Sequence, residues 1–258
     1  MSKKDSAPAR PPRVLVPDLA EHLAWSEEHG EISLKGEEKA HVRSRRLRDG
    51  DEVVAIDGKG ARAMARLVRG GTAIALLPSK KIFSSSSSLP SLPSPGEPAN
   101  RVVVALACAE PARVEWAIEK GTECGAAGFV LLDAERSQRA HVAALAKRIP
   151  RLVRIAEEAT KQCDRTLVPF LEGPKSTEDF LRRVRREMLF VLDPAAPAGG
   201  PRVVPGALSV VIGPEGGFAP AELSLLAEKS PVFLSLGPRI LRLETAVVVA
   251  LARLVDPA

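Results

Sequence analysis

The chain has 258 residues, of which 45% are hydrophobic, enough to bury the core of one large domain or two modest ones. Its net charge of +5 suits an acidic partner such as RNA, although metabolic enzymes are often mildly basic too. The three cysteines form no Cys-x-x-Cys pair, which excludes a disulfide framework and a cysteine zinc site, and no apolar run is long enough to predict a membrane span.

The start of the chain is polar and carries no export signal, and the unpaired cysteines suit a reducing compartment. We therefore expect a cytoplasmic protein that binds no membrane and needs no metal. Aromatic residues make up only 3% of the chain and tyrosine is absent, which argues against base stacking as the main mode of RNA contact.

The N-terminal part reads as a Pro-rich tail followed by short apolar segments. A helix is predicted to begin near residue 36, and a hairpin turn is predicted at 57–60 (DGKG). Several strands and a helix within about 80 residues predict a small β-barrel-like domain. The predicted strands cover residues 13–16, 31–34, 52–57, 62–68 and 72–77.

A basic cluster follows the predicted helix start. Arg43, Arg45, Arg46 and Arg48 lie within six residues. They suit a solvated helix end, where the helix dipole favours cations, and equally a contact with phosphate groups.

Residues 84–100 are a low-complexity segment of serine, proline and leucine. Such a sequence buries little apolar surface, and its prolines prevent regular pairing. We interpret it as a linker between two domains.

The part from residue 101 onward alternates apolar strands with helices. A near-continuous apolar run such as 102–107 (VVVALA) is typical of a parallel strand buried on both faces. The alternation predicts a parallel sheet with helices on both faces. Further strands are predicted at 129–132, 188–193, 208–212 and 233–236, and helices at 114–124, 142–162 and after each of the last two strands.

Two glycine loops interrupt the last strand–helix pairs. The strand at 208–212 ends in Gly-Pro-Glu-Gly-Gly, and the strand at 233–236 ends in Gly-Pro. Loops between strand and helix are where open α/β sheets place ligands. Neither loop has the Lys-Ser or Lys-Thr of a phosphate-binding P-loop, and no G-x-G-x-x-G opens the domain.

The segment 136–165 is strongly basic, with eight Lys or Arg against three Asp or Glu. A solvated helix face with pairs such as Glu157–Lys161 is one interpretation. Arg148, Arg151 and Arg154 have no nearby acid upstream, which favours a phosphate-binding strip.

The two loops resemble those of the RsmE family, SPOUT-class methyltransferases that modify N3 of a uridine in small-subunit ribosomal RNA. The matching segments are 212–218 (IGPEGGF) and 236–246 (LGPRILRLETA). The likeness extends to 119–125, to 135–137 (ERS) and to 154–165.

The chain departs from the family pattern in two places. Near the N-terminus, 41–51 resembles the signature of a PUA-like RNA-binding module, but Arg45-Arg46 stands where Val-Leu is usual. After the first C-terminal strand, the family carries K-x-x-K-x-E, whereas 108–115 (CAEPARVE) lacks the first lysine. Either Arg113 does its work or the position is not essential.

The resemblance implies an α/β fold with a PUA-like domain at 1–83, the linker at 84–100 and a SPOUT domain at 101–258, with a trefoil knot near 208–246. It implies S-adenosylmethionine as cofactor, 16S rRNA of the small subunit as partner, and a homodimer. The cofactor-binding candidates are Leu192, Ile212, Gly213, Pro214, Glu215, Gly216, Gly217, Leu236, Gly237, Ile240, Leu241, Arg242 and Thr245.

Candidates for catalysis follow from the same resemblance. Methylation of N3 needs loss of its proton and stabilisation of the resulting anion, for which Arg165 and Arg242 are candidates. Glu244 and Glu215 are candidate orienting groups or bases; alternatively they only cap helices and pair with arginines. The RNA-binding candidates are Arg13, Arg43, Arg45, Arg46, Arg48, Arg136, Arg151 and Arg154.

Two other functions remain open from the sequence. One is a SPOUT enzyme that methylates ribose 2′-oxygens, against which the full second-loop match argues. The other is a non-catalytic RNA-binding assembly factor that has kept the fold, against which the intact glycine loops argue.

Overall fold

The structure, a computed structural model, describes residues 10–25, 30–77, 97–184, 188–197 and 206–255. It divides into two compact units. The described residues up to 77 form the first unit together with Asp164–Leu167, and those from 97 onward form the second unit without that segment. Most of the predicted linker lies outside the described residues, as does the tail before residue 10.

The first unit is built on one five-stranded sheet of order β1-β3-β4-β5-β2. Its strands pair antiparallel except for the parallel pair β1–β3. All five predicted strands are confirmed, and a first helix, α1, is an addition to the prediction. The elements are β1 (Arg13–Leu15), α1 (Leu19–Trp25), β2 (Glu31–Ser33), α2 (Gly36–Ser44), β3 (Glu52–Ile56), β4 (Arg62–Val68) and β5 (Ala73–Leu76).

The alternating sequence of β4 explains the one-sided core of this sheet. Ala63, Ala65 and Leu67 are buried, while the intervening residues are partly or fully exposed. The predicted hairpin between β3 and β4 is closed by Asp57, whose carboxylate accepts hydrogen bonds from the backbone N–H groups of Lys59 and Ala61 at 2.7 and 2.9 Å. A short polar side chain thus satisfies the backbone donors that the turn leaves open.

The second unit contains a six-stranded, entirely parallel sheet of order β11-β9-β10-β6-β7-β8. This confirms the parallel sheet predicted from the apolar runs. The elements are β6 (Arg101–Ala107), α3 (Pro111–Glu123), β7 (Gly128–Leu132), α4 (Arg139–Gln162), β8 (Phe170–Lys175), α5 (Thr177–Arg183), β9 (Met188–Leu192), β10 (Ala207–Ile212), α6 (Pro220–Ala227), β11 (Val232–Leu234) and α7 (Leu243–Leu254).

Helices cover both faces of this sheet. On β6, Val102, Val104 and Leu106 pack into the core shared with α3, α4 and α7. Ala105 and Ala107 point to the opposite face, into the core shared with α5 and α6. The period-two alternation of side chains along a strand therefore supplies two cores from one apolar run.

The periodicity of the sequence predicts neither strand β8 nor helix α5; only the family likeness, at 168–169, indicates a strand after α4. All six residues of β8 are partly or fully exposed, because it is an edge strand. It contains Gly173 and Pro174 and lacks the apolar run that identified the central strands. Edge strands tolerate proline and need only one hydrogen-bonded neighbour, which leaves a weak sequence signal.

Within the described ranges, no helix combines the length and the hydropathy that spanning a bilayer requires. The cytoplasmic location stays a prediction, and so does the trefoil knot.

Candidate cofactor pocket

A cavity of about 590 Å³ lies at the carboxyl ends of β9, β10 and β11. Parallel sheets bind ligands at this edge, and a volume of this size is typical of small-molecule sites. Nearly half of its lining residues come from the two glycine loops that the sequence singled out, at 213–217 and 236–242. Because the strands run parallel, the loops that follow β10 and β11 lie at the same edge of the sheet.

The first loop is a tight turn after β10. The N–H of Gly217 donates to the carbonyl of Pro214 at 2.8 Å. Gly217 has a φ of +71°, a conformation that other residues adopt only with strain. Beneath the turn, the ring of Phe218 lies so close to Gly213 that a Cβ there would come within 2.9 Å of it. The glycines therefore serve the shape of the turn.

The second loop leads into α7. Gly237 has a φ of +113°, and Arg253 of α7 donates to the carbonyl of Ser235 at 2.8 Å, which ties the loop to the helix. Arg242 is the N-cap of α7 and its side chain makes no capping hydrogen bond. The positive end of the helix dipole thus lies at the pocket wall, where Arg242 and Leu243 line the cavity.

Every predicted cofactor residue except Gly216 and Thr245 lines this cavity. A Cβ on Gly216 would face the side chain of Arg136, 3.7 Å from its Cδ, and Thr245 is exposed. Sequence reasoning missed several lining residues: Val191, Asp193, Pro194, Phe218, Leu223, Phe233, Leu234, Arg239, Leu243 and Ala246. Asp193 could have been found, since it is the last residue of a predicted strand.

The catalytic candidates are divided between the two units. Arg242 is exposed at the pocket wall, whereas Glu244 is half-buried in the first turn of α7 and does not line the cavity. The Oε2 atom of Glu244 is buried and has no hydrogen-bond partner among the described residues. Arg165 belongs to the first unit, where it is nearly fully buried and its carbonyl accepts from Arg13 at 2.8 Å. It is not among the residues that line the cavity.

Glu215 pairs with Arg113 of α3, which also lies 3.6 Å from the carboxylate of Glu110. The hydrogen bond to Glu215 is the main cause that raises the pKa of Arg113, helped by the charges of Glu215, Glu244 and Glu110. The carboxylates of Glu110, Glu215 and Glu244 therefore all interact with one guanidinium, that of Arg113.

Cys108 follows β6 near this edge but is no candidate nucleophile. Burial, with the nearby charge of Asp133, raises the pKa of its thiol to about 12. The thiol stays protonated at neutral pH, and a thiol is a poor nucleophile.

The RNA-binding candidates of the first unit differ in exposure. Arg43, Arg45, Arg46 and Arg48 are all exposed at or just after the end of α2. Arg13 is different: its side chain is only 9% exposed and lies 3.1 Å from the carboxylate of Asp164.

In the second unit, two of the RNA-binding candidates are engaged in contacts. Arg136 donates to the carbonyl of Gly216 at 2.7 Å. Arg151 makes a two-pronged contact with Glu115 of α3, at 2.8 and 2.9 Å, and Arg148 joins the same carboxylate at 3.0 Å. These bonds, led by that of Arg151, lower the pKa of Glu115. Arg154 is exposed on α4.

Comparison with known proteins agrees with this geometry. Residues 96–255 match the family model of an RNA methyltransferase domain, and residues 34–74 match that of an RNA methyltransferase PUA domain. The ribosomal RNA small subunit methyltransferase E of Mycobacterium bovis is 35% identical over 234 residues, which cover 84% of this chain and 82% of that protein. The chain belongs to the ribosomal RNA small subunit methyltransferase E family.

Other members of this family support the assignment over nearly the whole length. The protein of the same name from Bacillus subtilis is 29% identical over 240 residues, covering 88% of this chain and 90% of that protein. A Legionella pneumophila protein described as a methyltransferase, solved with bound S-adenosylmethionine, is 26% identical and has a TM-score of 0.75 over 95% of this chain and 96% of that chain.

The fold is shared with a further family member. The Neisseria gonorrhoeae methyltransferase E structure has a TM-score of 0.77 at 22% identity and covers 94% of this chain and 96% of that one. The family, the α/β fold class with a PUA-like N-terminal domain, and the RNA methyltransferase assignment are therefore confirmed.

Proposed function

We propose that this protein uses S-adenosylmethionine to methylate N3 of a specific uridine in 16S rRNA of the small ribosomal subunit. One observation supports the proposal most directly: the two family motifs together wall a single cavity at the carboxyl edge of a parallel sheet. Family membership and a SAM-bound relative at 26% identity support it.

The cavity fits such a cofactor. Its lining is largely apolar, with Leu192, Ile212 and Leu241 among the walls, which suits a nucleoside ring. A Cβ built on Gly217 or Gly237 meets no protein atom within 4 Å, so both glycines leave open space at the wall. The uncapped N-terminus of α7 offers N–H groups and a positive potential to a carboxylate such as that of the methionine moiety.

The bound cofactor would supply a methyl group on a sulfonium. This chemistry would require N3 of uracil to lose its proton, to a base or to solvent, as the nitrogen takes up the methyl group. Arg242, exposed at the pocket wall, is placed to stabilise the negative charge that develops on the uracil oxygens. Glu244, with an unpartnered carboxylate oxygen, is the better candidate acceptor, since Glu215 is paired with Arg113.

The substrate base is reached from single-stranded or opened RNA, because N3 is hidden by base pairing. We assign the exposed arginines at the end of α2 to contacts with RNA phosphates, together with Arg154. The catalytic role predicted for Arg165 stays a prediction.

The homodimer is part of the same proposal. Ile240, Phe233 and Leu223 line the cavity yet are exposed by 89%, 43% and 43%. Large apolar side chains clustered at the rim of one pocket favour coverage by another protein surface. A second copy of the chain that completes the pocket is the partner we propose.

The deciding experiment tests whether the protein methylates small ribosomal subunits that come from a strain lacking its own 16S rRNA uridine-N3 methyltransferase. The purified full chain is incubated with these subunits and labelled S-adenosylmethionine, and nuclease digests are analysed by mass spectrometry. We expect one 3-methyluridine in 16S rRNA. A methyl group on a ribose oxygen would indicate a different SPOUT reaction, and no transfer despite cofactor binding would favour an assembly factor.

A further inference from the structure

Two arginines hold the first glycine loop, residues 213–217, from outside. Arg113 lies in the first turn of α3, after β6, and its side chain donates to the carboxylate of Glu215. Arg136 lies in the segment after β7, and its Nη1 donates to the carbonyl of Gly216 at 2.7 Å. The loop after β10 is thus contacted from the segments that follow β6 and β7, and the two contacts fall on the adjacent residues Glu215 and Gly216.

The loop has little to hold its shape by itself. Its internal hydrogen bond runs from the N–H of Gly217 to the carbonyl of Pro214. The Glu215 side chain is 74% exposed, and Gly216 and Gly217 are exposed as well. Two consecutive glycines have more backbone conformations available than any other pair, so external contacts are needed to select one.

We infer that Arg113 and Arg136 are positioning residues that hold loop 213–217 in the conformation that receives the cofactor. The inference rests on the proposed function for the identity of that cofactor. It assigns Arg136, predicted from the sequence to bind RNA, to the cofactor loop, and it assigns Glu215 to bracing this loop.

Arg113 uses two different nitrogens for its contacts. Nη1 reaches Glu215, and Nε lies 3.6 Å from the carboxylate of Glu110. A lysine has one nitrogen and could not bridge the two carboxylates in this fork geometry. The sequence left open whether Arg113 replaces the lysine missing from the family pattern. In the structure, Arg113 contacts Glu215 of the first glycine loop, which is a role separate from that question.

We call these two contacts, Arg113 with Glu215 and Arg136 with Gly216, the clamp. We expect the clamp to order the loop and to contribute little to the global stability of the protein. Ion pairs near the surface contribute little to folding stability, because water and salt screen them. When a loop must be ordered before it can bind, the apparent affinity is proportional to the fraction of molecules in which the loop is ordered. The predicted signature is therefore lower cofactor affinity at an unchanged melting temperature.

The test compares full-length variants by calorimetric titration with S-adenosylmethionine and by hydrogen exchange of the ligand-free protein. We expect Arg113→Ala and Arg136→Ala each to weaken binding about tenfold and to speed exchange at residues 215–217. The charge-reversed pair Arg113→Glu with Glu215→Arg should recover most of the affinity that Arg113→Glu alone loses. Arg182→Ala is the matched control, since that arginine pairs with Glu178 and Asp179 on α5.

The outcomes separate this inference from the proposed function. Wild-type affinity and exchange in both alanine variants would overturn the clamp. If the Arg136→Ala protein keeps its cofactor affinity but loses RNA binding, Arg136 binds RNA, as the sequence predicted, and does not position the loop. Should the wild-type chain fail to bind S-adenosylmethionine, the proposed function is wrong, and faster exchange in the variants would still establish the clamp.

Discussion

The hydroxyl of Thr177 donates to Oε1 of Glu222 at 2.7 Å inside the second unit. The same carboxylate accepts the backbone N–H of Glu135 at 3.2 Å and, through Oε2, that of Ala219 at 3.0 Å. Glu222 is only 7% exposed. One buried carboxylate thus joins the segment after β7, the start of α5 and the start of α6, all at the edge that carries the pocket.

Replacing Glu222 with alanine should therefore be costly. The substitution leaves one hydroxyl and two N–H groups without their acceptor, and we expect the free energy of unfolding to fall by about 2 to 3 kcal/mol. Urea denaturation measures this value. Glu228→Ala, at the exposed C-cap of α6, is the control and should change stability by less than about 0.5 kcal/mol. Equal effects of the two substitutions would contradict the bracing role.

Neighbouring glycines of the first loop should respond differently to substitution. A Cβ on Gly216 makes ordinary contact with Arg136, so Gly216→Ala should keep the cofactor affinity within about twofold. Gly217→Val places a branched side chain at a φ of +71° in the pocket wall, and affinity should fall at least about tenfold. Calorimetry on folded variants checks both; a stronger loss from Gly216→Ala would be evidence against this orientation of the loop.

Arg242→Lys should slow the chemistry more than it weakens cofactor binding. Lysine keeps the charge but loses the planar fork of donors. If Arg242 stabilises the uracil anion, the single-turnover rate should drop about 10² to 10³-fold with cofactor affinity nearly unchanged. In the competing role, Arg242 braces the two loops by pairing with Glu215 or Glu244. That role is weakened because Glu215 pairs with Arg113 and Oε2 of Glu244 has no hydrogen-bond partner among the described residues. A wild-type single-turnover rate in the variant would rule out the catalytic role.

The Glu115 network should make part of the stability depend on pH. Hydrogen bonds from Arg151 and Arg148 lower the pKa of Glu115, so the carboxylate stabilises the fold at pH values above its unfolded pKa of about 4.3. Glu115→Gln should therefore cost about 1 kcal/mol at pH 7. The difference from wild type should shrink as the pH falls from about 4.3 through the lowered pKa of the folded protein, because the wild-type carboxylate becomes protonated first in the unfolded and then in the folded state. Urea denaturation across this range checks it, and a pH-independent difference would disprove the assignment.

Much of the fold was predictable because the residues that a strand or helix buries are apolar and recur in the sequence with the period of that element. Strands such as β6 and β10 are near-continuous apolar runs since both of their faces are buried, and a glycine loop stands out at the end of β10. Edge strand β8 has no buried face of that kind, so periodicity missed it.

The sequence by itself determined the family, most of the strands and helices, and nearly all of the lining residues within the two glycine loops. These depend on local composition and on two contiguous motifs. The tertiary structure alone decided the partners of the charged residues. Arg113 meets Glu215 across 102 positions of sequence, and Arg136 meets Gly216 across 80. Arginine side chains are long and polar, so their sequence context is the same on an RNA-binding surface, in an ion pair or against a loop carbonyl. Only the path of the chain through the parallel sheet brings a particular acceptor within reach.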